Sequence, residues 1–130
     1  MSYSVEKLPG EPIVVSTMLD DFSVADHLPG MIDELSALFD SQPEPVYYIS
    51  DVGHLSLNLE DILFGSTATA RGQNPVLHHP NIKRTILVTS SKMIKLAVKG
   101  MNSEVFGNIR IDLFETVDEA FAYVREQLAV

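Results

Sequence analysis

The sequence predicts an α/β domain built as a hairpin followed by repeated strand-helix units, in the order β-β-α-β-α-β-α-β-α. Three features point to it. A β-branched run follows a Pro9-Gly10 turn signal near the N-terminus. Short unbroken apolar runs at 46–50 and in "RTILVTS" have the pattern of strands covered on both faces, and helical apolar stripes follow the later strands. Successive strand-helix units impose crossover connections, so a mainly parallel sheet is expected, preceded by an N-terminal antiparallel hairpin strand.

Residues 3–8 and 12–18 are the two hairpin strands. From Leu28, the apolar Met31, Ile32, Leu35, Leu38 and Phe39 recur at helical spacing while Asp33, Glu34 and Asp40 take the other face, with Pro29 tolerable in the first turn. Pro43 and Pro45 end this helix and lead into the third strand. A second helix begins near Asn58, a good capping residue, and is expected to carry Leu59, Ile62 and Leu63 inward before the small-residue run "GSTATARG", which weakens it. "GQNPVLHHPN" is a loop, "RTILVTS" a buried strand and "SKMIKLAVKGM" the helix behind it. In the last unit Ile109, Ile111 and Leu113 alternate with Arg110 and Asp112, the pattern of an edge strand with one wetter face. Thr116 and Glu119 then form a capping box, and Val117, Ala120, Phe121, Val124 and Leu128 fall on one stripe of the final helix.

A chain of 130 residues with 45% hydrophobic composition fits a single domain, residues 1–130. The start lacks a basic region followed by an apolar run, and no stretch approaches the roughly 18 apolar residues of a membrane span, so a soluble cytoplasmic protein is expected. The absence of cysteine excludes disulfides, thiolate metal sites and a Cys nucleophile. A net charge of -9 argues against nucleic acid as a partner, because phosphate binding needs a basic field. Residues 1–61 hold 12 acids against one base, Lys7; the rest of the chain holds 6 acids against 8 bases. A solvated acidic half and an acidic docking face, even one for a second copy of the chain, both fit this asymmetry.

The stretches "NIKRTILVTSSKMIKLAVKGM", "IRIDLFETVDEAFAYVREQL" and "YYISDVGHLSLNLED" resemble the SpoIIAA-like superfamily, which includes the STAS domains of anti-sigma factor antagonists and the Sec14-type lipid-binding domains. The first two are similar to small uncharacterised bacterial SpoIIAA-like proteins. In the antagonist branch the third strand runs into D-L-S-x-L-x-F-M-D-S-S-G, whose second serine is phosphorylated by a partner kinase. Here Asp51, Val52, Gly53, His54, Leu55, Ser56 and Leu57 follow the early part. Leu59 then stands in place of the aspartate, Glu60 and Asp61 in the two serine positions, and Ile62 in place of the glycine. The switch serine is missing. Either Glu60 and Asp61 serve only their helix start, where the dipole favours acids by ~0.3–1 kcal/mol each, or they hold permanently the charge of about -1.5 to -2 that a phosphoserine would bring.

The carboxyl ends of parallel strands form the edge where ligands and partners dock. Asp51 lies at such an end, with Thr89, Ser90 and Ser91 after the fourth strand and Glu115 and Thr116 after the fifth. Ser90 or Ser91, and Thr116, equally serve as helix caps. Lys92, Lys95 and Lys99 form one stripe which, with Lys83 and Arg84, makes a basic patch; a solvated face explains it, as does a meeting with an acidic surface. His78 and His79 lack the further ligands a metal needs and read as loop residues, so no metal or cofactor is expected. His27 and His54 have acids nearby but no nucleophile elbow. Gly65, Ala68 and Gly72 read as helix-packing residues rather than a phosphate cradle, since the Lys-Ser/Thr ending of a P-loop is missing.

The sequence therefore favours a non-catalytic protein-interaction module, a homodimer, with Asp51, His54, Glu60, Asp61, Ser90 and Ser91 on its docking edge. A carrier or sensor of a small apolar, lipid-like ligand is the alternative. No nucleophile, base and metal set for an enzyme can be assembled.

Overall fold

The computed structural model describes residues 2–129; Met1 and Val130, within the single-domain expectation, lie outside them. The elements are β1 (Tyr3–Lys7), β2 (Ile13–Met18), α1 (Val24–Asp40), β3 (Val46–Asp51), α2 (Leu59–Arg71), β4 (Ile82–Val88), α3 (Lys92–Met101), β5 (Ile111–Phe114) and α4 (Val117–Leu128). They form one five-stranded sheet in the order β1-β2-β3-β4-β5. β1 pairs antiparallel with β2, and every later pair is parallel. The mixed sheet, its hairpin and the strand-helix order agree with the sequence pattern, and β5 is an edge strand.

Two layers cover the sheet unequally. On one face Val14, Tyr48 and their neighbours pack against α1 (Leu28, Met31, Leu35), α2 (Ile62) and α3 (Ile94, Val98). On the other, Ile13, Val15, Tyr47, Ile49, Ile86 and Val88 pack against α4 through Ala120 and Val124. The helix starts are those the cap residues dictate. Asn58 Oδ1 accepts from Asp61 N at 2.8 Å, Ser91 Oγ from Ile94 N at 3.3 Å, and Thr116 and Glu119 close a full capping box.

Several local expectations need correction. Helix α1 begins at Val24, not Leu28, because Ser23 caps it by accepting from Asp26 N while its own N–H donates to His27 Nδ1 at 2.8 Å. Pro29 therefore sits in the second turn, where its ring removes an interior hydrogen bond. Helix α2 runs through the small-residue segment to Arg71, and only Ile62 and Ala70 of it are buried. Leu59 and Leu63, expected inward, are 57% and 55% exposed. The inward stripe is instead Ile62, Gly65, Ser66 and Thr69, at the i, i+3, i+4, i+7 spacing of one helix face. Gly65 faces open space: a Cβ there would meet nothing within 4 Å, so it makes no close helix contact. Ile109 precedes β5 and is buried with Met101 and Ala70, its N–H donating to Met101 O. On α4, Phe121 is half-buried under Arg125 and Leu128 is exposed.

Deleting α4 by truncation after Glu115 uncovers the whole second sheet face. Large side chains such as Ile13, Ile49 and Ile86 gain about 1.5–3 kcal/mol each from full burial, against a typical total stability of about 5–15 kcal/mol. The truncated chain is expected to show no cooperative thermal transition by circular dichroism. A cooperative melt near the full-length midpoint would contradict this account of the core.

Candidate functional site

The edge at the carboxyl ends of the strands is built largely from turns. Asp51 closes β3, is buried, and its Oδ1 accepts from Gly53 N at 2.9 Å, so its carboxylate fixes the chain reversal into the loop before α2. His54, half-exposed, places Nε2 at 3.5 Å from Asp51 Oδ2. Thr89 plays the same part after β4: it is buried, and its Oγ1 accepts from Ser91 N at 3.1 Å. Ser91 caps α3, while Ser90 is exposed. Glu60 is exposed and Asp61 half-exposed in the first turn of α2, and neither makes an ion pair among the described residues.

The basic residues are not brought together as one patch. Arg84 lies on the α4 face of β4 and grips Asp112 of β5 with both Nε (2.6 Å) and Nη2 (3.2 Å). That pair of hydrogen bonds holds the Asp112 carboxyl below its ordinary range and raises the guanidinium's, burial opposing each. Lys83 sits over the Tyr47 ring at 5.5 Å. Lys92, Lys95 and Lys99 ride on α3 in the opposite layer, with Lys95 paired to Glu115 at 3.1 Å.

The histidines have structural partners. His79 Nδ1 accepts from Asn81 N, so its Nε2 carries the proton and donates to Asp40 Oδ1 at 2.6 Å, tying β4 to the end of α1. His78 Nε2 donates to Phe106 O at 3.0 Å. Its ring lies so close to Gly107 that a Cβ there would fall 2.5 Å from Cε1, and Gly107 also has φ +80, so only glycine fits. Among the described residues no three His, Cys, Asp or Glu converge as a metal site, and no helix is long and apolar enough to cross a membrane.

The feature that the sequence reading missed lies under α2. A cavity of about 130 Å³ opens between the sheet and helices α1, α2 and α3. Met31 and Leu35, Ile62, and Ile94 and Val98 wall it, while the small stripe Gly65, Ser66 and Thr69 leaves the space unfilled. Its sheet-side floor carries Tyr48, Ser50 and Thr85, all more than nine-tenths buried. Tyr48 Oη shares a 2.7 Å hydrogen bond with Ser16 Oγ. Burial pushes the Tyr48 phenol above its ordinary range, opposed by the Ser16 and Ser50 hydroxyls, so it stays protonated across the physiological range. The signal available in the sequence was a hydroxyl at the same pleat parity in three neighbouring strands; seeing it required the register.

A solved structure matches the fold over nearly the whole length of the chain. It is an uncharacterised protein of the DUF3478 family from Shewanella loihica PV-4, described as having a SpoIIAA-like fold, with a TM-score of 0.53, 12% identity, and coverage of 93% of this chain and 90% of that one. The chain has a SpoIIAA-like fold. No family model matches it, and no curated protein does. The SpoIIAA-like likeness thus speaks to architecture, and the site rests on the residues themselves.

Since a Cβ at position 65 meets nothing, Gly65→Ala is expected to stabilise the protein by about 0.5–1 kcal/mol through helix propensity alone. Urea unfolding of both chains checks it. A loss of stability would show that Gly65 is needed for close approach.

Proposed function

We propose that this protein is a non-catalytic binding module whose site is the apolar cavity beneath α2. The observation that carries the proposal is the unfilled, almost wholly apolar space roofed by small residues where large ones would close it. Native interiors are packed tightly, and apolar cavities of about 150 Å³ are known to stay dry and take up benzene-sized molecules. A space of about 130 Å³ suits a ligand of that size or one end of a longer apolar chain. This is the carrier or sensor reading, and it is favoured over docking at Asp51, whose carboxylate is buried and engaged by Gly53.

A second reading has its own support: the solvated acids Glu60 and Asp61, the lysines of α3, and the exposed Met93 and Leu96 between those lysines. An acidic edge on one copy meeting the α3 face of another would give a salt-sensitive homodimer.

Two measurements test these readings. Ala97 lines the cavity from α3, and Ala97→Leu keeps a good helix former while filling the space. Native mass spectrometry of protein purified from its source cell is expected to show a small apolar adduct on the wild type and none on the variant; an adduct-free wild type that also fails to bind toluene would overturn the cavity reading. For the second reading, sedimentation at micromolar concentration is expected to show a dimer that weakens in high salt and in the Glu60→Gln, Asp61→Asn double variant. A monomer in low salt, or a dimer indifferent to both changes, would remove it.

A further inference from the structure

We infer that the cavity selects a neutral, mainly apolar molecule carrying one hydrogen-bonding group, which the hydroxyls of Tyr48, Ser50 and Thr85 receive. The inference rests on the cavity reading and adds the chemical class of the ligand.

The register places these groups together. Ser16 pairs with Ser50 across β2 and β3, and Tyr48 pairs with Thr85 across β3 and β4, so four hydroxyl residues form a staggered cluster of two adjacent rungs on one sheet face. All four are buried. Their neighbours on that face, such as Val14, Val46, Val52 and Leu87, are apolar, so the cluster is an island of polarity in a core that needs none. Ser16 stands behind the cavity and fixes Tyr48 Oη through the 2.7 Å bond, while Tyr48, Ser50 and Thr85 line the floor.

The hydrogen-bonding capacity of this cluster exceeds what its own members use. Each hydroxyl offers one proton and two lone pairs, and the bonds of Tyr48 with Ser16 and with Ser50 together occupy two protons and two lone pairs. A hydroxyl or carbonyl on a ligand can therefore be received from the floor while the body of the ligand lies against Ile62, Ile94 and Val98.

Charge narrows the class further. Among the described residues that line the cavity, Asp61 is the one charged side chain, and it is an acid. A carboxylate or phosphate entering this space would lose its hydration, find no cation, and face a like charge. Fatty-acid carboxylates are thus poor candidates for this floor, and alcohols, phenols and ketones are good ones.

The test uses the full chain and three probes of similar size at neutral pH: toluene, phenol and benzoate. The readouts are dissociation constants from titration and the methyl NMR shifts of Ile62, Ile94 and Val98. A purely apolar cavity prefers toluene, because a buried hydroxyl without a partner is penalised. The hydroxyl floor reverses that order. Phenol is expected to bind about fivefold or more tighter than toluene, and benzoate not at all. In Thr85→Val, which keeps the side-chain shape, phenol should weaken by about fivefold while toluene is unchanged. Toluene binding at these methyls as tightly as phenol, or benzoate binding there comparably, would overturn the ligand class and leave the cavity reading standing. No shift at these methyls with any probe would overturn both.

Discussion

The organisation of this protein depends on how α2 meets the sheet. Its inward stripe is Ile62, Gly65, Ser66 and Thr69, and only the first of these is a large apolar side chain. A helix with that face is held over the sheet by Ile62 and by its neighbours α1 and α3, without filling the gap below it. Its larger apolar residues, Leu59, Leu63 and Phe64, point outward. The same small residues therefore produce both the cavity and the exposed apolar roof.

That arrangement is sustainable because the core around it is densely packed. On the opposite face α4 buries Ala120 and Val124 completely against β3 and β4, with a full capping box to fix its start. α1 contributes Leu28, Met31, Leu35 and Phe39, each nearly inaccessible, and Asn81 and His79 bind its C-terminal turn to the entry of β4. A stability of only about 5–15 kcal/mol tolerates one underpacked region if its surroundings are dense, since a cavity costs in proportion to its volume.

Much of the fold was legible because local chemistry is written locally. Asn58, Ser91 and Thr116 announce helix starts by residue type, and the apolar runs of β3 and β4 announce covered strands. The start of α1 was obscured by Pro29, which suggests a first turn, while Ser23 and His27 start the helix four residues earlier than the apolar stripe implies. The phase of α2 was misread because large apolar residues normally mark the buried face, and here they mark the exposed one. The site was legible least. Asp51 and Thr89 look like docking groups until an amide two residues on is seen to engage each of them. The hydroxyl cluster is invisible without strand register, because Ser16, Tyr48, Ser50 and Thr85 come from three separate strands.

The proposed site requires an apolar, ligand-accessible space beneath α2 in the folded protein. Xenon-pressurised crystals test it directly, because xenon enters dry apolar cavities and scatters strongly. The account predicts a xenon site bounded by Ile62, Ile94 and Val98, with α2 in place above it. A crystal in which α2 lies collapsed on the sheet and no xenon enters that region would contradict it.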